Sequence, residues 1–372
     1  MRVLIVTPQL ALGGAEQLAV MYAEGLQRRG HEVFLAYGGS EAAWFASRVH
    51  PAVQIRQLAD LPVSLRSFAT WRRELRSLGR EVRPHVVFAQ SITAAAVAAA
   101  ALPRLPRIVM LHGIPDEKER LAAYVLRASR ARAIAVSDQT ASGITRYRGA
   151  PDIAVVHSGV DIAALQRDAE EGLALPPGSP RFLYVGRFSP EKATDVLVEA
   201  FARVVQTLPD ARLTCAGEGP ELGARMLQAA TLGVKDRVDF VGPVPNVAQY
   251  IRASDLFVLA SRWEGLPLVL LEALGLGVPA VATRVEGVPL VVREGDTGWL
   301  VAPGDVAELA ERMVEAASDP SELRRRGRAG ARLIREEFSS QRTLDQIDGF
   351  LRETVAPLPL RRRGCLGRRE FS

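Results

Sequence analysis

Cysteine is almost missing from this chain: Cys215 and Cys365 are the only two in 372 residues. Two thiols build no disulfide framework, and Cys215 falls in an apolar, strand-like run, so a reducing compartment is expected. Long apolar runs are missing too. The longest are Ile92 to Leu102 and Leu266 to Ala282. A membrane-spanning helix needs about 20 apolar residues; the first run is too short, and the second is broken by Glu272, two prolines and two glycines. The N-terminus runs straight into MRVLIVTP with no signal-peptide pattern, and a cytoplasmic protein is expected. Aromatic residues make up 6% of the chain and do not interleave with its basic patches, which argues against nucleic acid as a partner. Gly13 and Gly14 follow the first strand but do not complete G-x-G-x-x-G. The second strand ends Ala36-Tyr37-Gly38, without the acidic ribose ligand of a nicotinamide site.

The length exceeds one ordinary core, and two domains are expected. Apolar runs alternate with helical patterns throughout, the signature of parallel α/β sheets. Strands are expected near 2–7, 32–37, 53–57, 86–89, 107–111, 132–136 and 153–157. A second set is expected near 181–186, 211–216, 237–241, 255–259, 279–282 and 298–301. Between the sets, DAEEGLALPPGSP (Asp168 to Pro180) reads as a linker. Continuous apolar strands such as Leu256 to Ala260 imply sheets covered on both faces. Ligands of such sheets bind beyond the carboxyl ends of the strands, here in a cleft between two domains.

The chemistry concentrates in SRWEGLPLVLLEALGLGVPAVAT, Ser261 to Thr283. Glu264 and Glu272 stand in an apolar run with seven residues between them. Carboxylates in such surroundings need partners or ligands. A helix from Pro267 to Leu276 is expected, with a glycine turn at Gly275 and Gly277 and then a strand. Helical rise over eight residues is about 12 Å, comparable to the reach from ribose to sugar in a nucleotide-diphosphate sugar. A buried Glu paired with Arg and a helix-capping Glu would account for the spacing equally well. The segment RFLYVG, Arg181 to Gly186, reads as a buried strand leading through Arg187 and Lys192 into a helix, a place suited to a phosphate group. The plain alternative is a surface pair of Lys192 with Glu191 or Asp195.

In sequence these segments resemble the family 4 glycosyltransferases, retaining enzymes of GT-B fold. GRFSPEKATDVLVEAF is similar to the family's G-R-x3-E-K-G segment, and the Glu264–Glu272 segment to its E-x7-E. GGAE (Gly13 to Glu16), HG (His112, Gly113), SGVD (Ser158 to Asp161), GEGP (Gly217 to Pro220) and GDTGWLV (Gly295 to Val301) follow in family order. The resemblance implies two Rossmann-like domains, over 1–170 for the acceptor and 171–338 for the donor. It also implies a helix at 339–358 returning to the first domain, with a basic tail at 359–372. It implies catalytic roles for Arg187, Lys192, Glu264 and His112. Donor contacts are implied for Gly13, Gly14, Gly186, Glu272, Gly265 and Leu266. The partners it implies are a nucleotide-diphosphate sugar and a glycan or lipid-linked acceptor.

No two aspartates are separated by one residue, so the D-x-D pattern that holds a divalent ion in metal-dependent sugar transferases is missing. No cofactor or metal is expected; Arg187, Lys192 and helix amides would carry the leaving diphosphate. Departures from the family are Ala193 in place of the glycine after E-K, Ser158 for the usual Asn, Phe88-Ala89-Gln90 at a histidine-rich strand end, and Glu286-Gly287 for a glycine pair. Ser158 is expected to keep a turn hydrogen bond. A nucleotide-sugar-binding protein without catalysis and a sugar-nucleotide epimerase are the alternatives. The segment Ser64 to Pro84 sets Arg66, Arg72, Arg73, Arg76, Arg80 and Arg83 around an apolar stripe. With the Arg-rich tail it leaves open an anionic membrane surface beside a solvated face.

Overall fold

Two parallel sheets organise the chain. The structure, a computed structural model, describes residues 1–9, 13–39, 49–59, 65–170, 172–173 and 178–356. The first sheet contains β1 (Arg2–Thr7), β2 (Glu32–Tyr37), β3 (Gln54–Gln57), β4 (Val86–Ala89), β5 (Arg107–Leu111), β6 (Arg132–Ala135) and β7 (Ile153–Val155). Its order is β3-β2-β1-β4-β5-β6-β7. The second contains β8 (Arg181–Val185), β9 (Arg212–Ala216), β10 (Val238–Gly242), β11 (Leu256–Leu259), β12 (Ala280–Thr283) and β13 (Gly298–Val301), in the order β10-β9-β8-β11-β12-β13. Both halves are doubly wound and Rossmann-like, as expected, and every expected strand is present within one or two residues.

The central strands are apolar on both faces because helices cover both. Leu4 and Val6 pack into one layer and Val3 and Ile5 into the other. In each sheet the strand order reverses once, between β1 and β4 and between β8 and β11. At such switch points the loops leave in opposite directions and open a crevice. Gly13 and Gly14 follow β1, Gln90 follows β4, Arg187 follows β8 and Glu264 follows β11, so the four loops converge.

The last helix, Ser340–Val355, leaves the second half and lies against the first. Val160 donates to the Phe338 carbonyl (3.0 Å) and Ser340 to the Val160 carbonyl (2.9 Å), a short parallel bridge at the crossing. Gly159 permits this approach, since a Cβ there would stand 2.5 Å from the Ser339 carbonyl oxygen. Farther along, Asp345 meets Arg29 (2.6 Å) and Asp348 meets His31 (2.8 Å). One apolar cluster therefore runs through both halves, from Leu26 and Phe88 to Leu274, Leu344 and Leu351. Residues 171 and 174–177 of the expected linker, the 359–372 tail and Cys365 lie outside the described residues.

Candidate active site

A cleft of about 770 Å³ opens between the two halves. Gly13, Gly14, His112, Gly186, Arg187, Lys192, Glu264, Gly265, Leu266 and Glu272 all line it, so the residues for which the resemblance implied catalytic or donor roles lie around one cleft.

Lys192 and Glu264, 72 positions apart, form its ionic centre. Lys192 Nζ donates to Glu264 Oε1 (2.7 Å) and Oε2 (2.8 Å), and Ser261 Oγ donates to Oε1 (2.6 Å). Glu264 is 6% exposed. Arg262 holds the two loops together: its guanidinium donates to the Pro190 carbonyl (2.5 Å) and to Asp195 (2.9 Å), and its amide to the Glu191 carbonyl (2.8 Å). Sequence reading passed over Arg262, since nothing local marks it as a clamp. The surface pairing of Lys192 with Glu191 or Asp195 is not formed; Ser189 and Arg262 take those carboxylates instead. Arg187 is different. Its backbone carbonyl is fixed by the Tyr184 hydroxyl (2.8 Å), while its exposed guanidinium has no hydrogen-bond or ion-pair partner among the described residues.

The helix expected after Lys192 begins at Thr194, and the turn before it carries a 3-10 segment, Pro190–Lys192; two other local expectations are corrected. Ala193 joins them at φ +47°, a left-handed conformation in which an L-residue is strained, so a glycine suits this position in the family. Only Leu268–Glu272 of the Glu264–Glu272 interval is helical, so the 12 Å helical span does not apply, although both carboxylates face the cleft. Ser158 makes no turn bond. Its buried hydroxyl faces that of Tyr22, and Asp161 caps the next helix through the Ala164 amide (3.0 Å).

Glu272 has no hydrogen-bond partner among the described residues, and burial pushes its carboxyl up to about 7. His112, at the end of β5, is pushed down to about 4 by burial and stays neutral. Its Nε2 lies 3.2 Å from Gln90 Oε1. A glycine lets the halves touch: a Cβ on Gly265 would collide with the His112 carbonyl oxygen; within the second half, one on Gly287 would collide with the Gly265 carbonyl oxygen. Glu286, where the family has glycine, takes φ +33°. Burial, and then the like charges of Glu264, Asp116 and Glu119, push it up to about 7.

Two doubly wound domains with a charged cleft and a returning C-terminal helix define a GT-B architecture. Residues 12–164 match the model of Glycosyltransferase Family 4, and residues 166–333 that of Glycosyl transferases group 1. With the two matches lying end to end over nearly the whole chain, this protein belongs to the family 4, group 1 glycosyltransferases. N-acetyl-alpha-D-glucosaminyl L-malate synthase of Bacillus anthracis is 36% identical over 166 residues, 45% of this chain and 43% of that protein. D-inositol 3-phosphate glycosyltransferase 2 of Catenulispora acidiphila is 37% identical over 205 residues, 50% and 48% of the two chains. The chain thus matches about half the length of these relatives. Among solved structures, Anabaena HepE in complex with UDP and glucose aligns with a TM-score of 0.81 at 20% identity, covering 95% of this chain and 100% of that one. Sucrose-phosphate synthase of Thermosynechococcus elongatus aligns at 0.80 and 20%, covering 95% and 99%. At these identities the likeness to solved structures is one of fold. No described helix is long and apolar enough to cross a membrane.

Proposed function

We propose that this chain transfers a sugar from a nucleotide-diphosphate sugar to a hydroxyl acceptor, with retention at the anomeric carbon and without a metal ion, in the synthesis of a cell-envelope polysaccharide or glycoconjugate. The observation that carries the reading is the cation arrangement. Arg187 stands unpartnered at the cleft wall, and Lys192 stands beside it, tied to a carboxylate that itself faces the cleft. Transfer breaks the anomeric C–O bond and places charge on the departing diphosphate. Fixed cations aimed at that charge lower the barrier without having to reorganise. The acceptor oxygen forms the new bond on the face the diphosphate leaves, and a diphosphate oxygen takes the acceptor proton.

Glu264, held by Lys192 and Ser261, orients the sugar hydroxyls, and Glu272 accepts the ribose hydroxyls. A Glu272 carboxyl pushed up to about 7 gains stabilisation when those hydroxyls donate to it. Neutral His112 offers a hydrogen bond beside the sugar. The complexes of HepE with UDP and with UDP-glucose favour a uridine base. A cytoplasmic-face membrane contact fits an envelope role. On the helix Leu65–Val82, Trp71, Leu75, Leu78 and Val82 are buried while Arg66, Arg72, Arg73 and Arg80 are exposed.

The test is a thermal-shift panel of UDP-, GDP- and ADP-sugars with EDTA present. Ligand at a hundred times Kd stabilises by about 2.7 kcal/mol. A shift with one base, followed by consumption of that donor, is expected; no shift with any of them would overturn the proposal.

A further inference from the structure

Resting on the glycosyl-transfer reading, we infer that the acceptor is an uncharged polyhydroxyl compound and that Glu16 turns small anions away. The cleft divides its charge unevenly. Arg187 and Lys192 both come from the second half, where the donor diphosphate is expected. The opposite wall comes from the first half, and its polar residues are Gln9, Glu16, Gln17, His112 and Ser158. Among the described residues lining that wall there is no lysine or arginine. His112 is held neutral by burial. The one acid among the wall's described residues is Glu16: burial raises its carboxyl, and the Gln9 amide and, across the cleft, the Arg187 cation act against that rise and favour the carboxylate.

A single feature of that wall would otherwise draw an anion: the N-terminus of the helix Gly14–Arg28, where free amides carry partial positive charge. It is already occupied. Glu16, in the first turn, folds back so that a Cβ on Gly13 would collide with its carboxylate oxygen. Gln9 Nε2 donates to the same carboxylate at 3.2 Å. The protein thus supplies its own anion to this helix end. An anionic acceptor would have to displace it or lie beside it, and like charges side by side are a strong means of rejecting a partner. Hydroxyl groups meet no such penalty, because Glu16 accepts two hydrogen bonds, and the Gln9 and Gln17 amides both donate and accept.

The experiment uses the full chain with its donor site filled by whichever of UDP, GDP or ADP the thermal-shift panel selects, its own affinity measured first. Calorimetry and NMR line broadening compare matched probes: methyl glucoside against methyl glucuronide, and myo-inositol against inositol 3-phosphate. The neutral member is expected to bind at least about a hundredfold better. Glu16→Gln should raise the affinity for the anionic member at least tenfold while leaving the neutral member within a few-fold. Equal or tighter binding of the anions to the wild type overturns the inference. If no probe binds the wild type, the variant decides: gained anion binding supports the inference, and no gain overturns it. Failure of UDP, GDP and ADP alike to bind sinks the glycosyl-transfer reading as well, whereas tight binding of one of them with an anion preference sinks only the assignment of the acceptor.

Discussion

Lys192→Ala should cost stability as well as rate, and the structure sets the size of the loss. Both Glu264 oxygens accept from Lys192, and only Ser261 remains to satisfy them once the ammonium is gone. Breaking a fully buried pair costs about 3–5 kcal/mol because it strands a charge. Here Glu264 is 7% exposed at its side chain, but Lys192 is 24% exposed and water enters from the cleft. The loss is therefore placed lower, at about 2 kcal/mol. Unfolding entropy of about 2.1 cal/mol/K per residue, over a domain of roughly 170 residues, is ~0.36 kcal/mol/K, so the second domain should melt ~6 °C earlier. Adding Glu264→Gln removes the stranded charge and should recover about half of that shift. The assay is scanning calorimetry of the two single variants and the double variant, read as a cycle. An unchanged melting temperature in Lys192→Ala, or a double variant less stable than Lys192→Ala alone, refutes the reasoning.

Arg187→Ala should behave oppositely, with transfer falling about 10²–10³-fold and the melting temperature unchanged, because its guanidinium holds nothing in the empty protein; initial rates and calorimetry check both. Glu272→Gln should weaken UDP binding and yet stabilise the empty protein at pH 8. Its carboxyl is raised by burial from 4.5 to about 7, so the folded state holds the proton more tightly. That contribution is complete below pH 4.5, declines through pH 7 and is gone above it, so wild type should lose stability against Glu272→Gln across this interval in a pH series of melts. Glu264→Gln should mainly lower kcat, with little effect on UDP affinity; calorimetry showing equal UDP losses in both glutamate variants would overturn their separate roles. Gly265→Ala should drive a methyl into the His112 carbonyl and cost about 1–3 kcal/mol, seen as a lower melting temperature together with lost transfer.

The strands were legible because sheets covered on both faces leave little choice of residue. VLIV, FLYV and LFVL each read as an apolar run, and each became a strand at the expected position. The site residues were legible as a group, because switch-point loops must converge whatever the details of their side chains. The pairing inside the site was not. Lys192 sits next to Glu191 and near Asp195, and only the folded arrangement, with Arg262 taking Asp195 and Ser189 taking Glu191, leaves it to Glu264. The left-handed Ala193 and the returning Glu16 escaped for a related reason. Each is set by what the next loop does, and no local pattern of residue types records that.

The most direct test of the account is donor turnover by the purified full chain, followed by proton NMR in EDTA with a neutral polyol acceptor and the donor chosen by the thermal-shift panel. The account predicts a new glycoside with the anomeric configuration of the donor, formed by the wild type and nearly abolished in Arg187→Ala. A donor that binds and is never consumed, a product of inverted configuration, or activity that returns only with added Mn²⁺ or Mg²⁺ would contradict it.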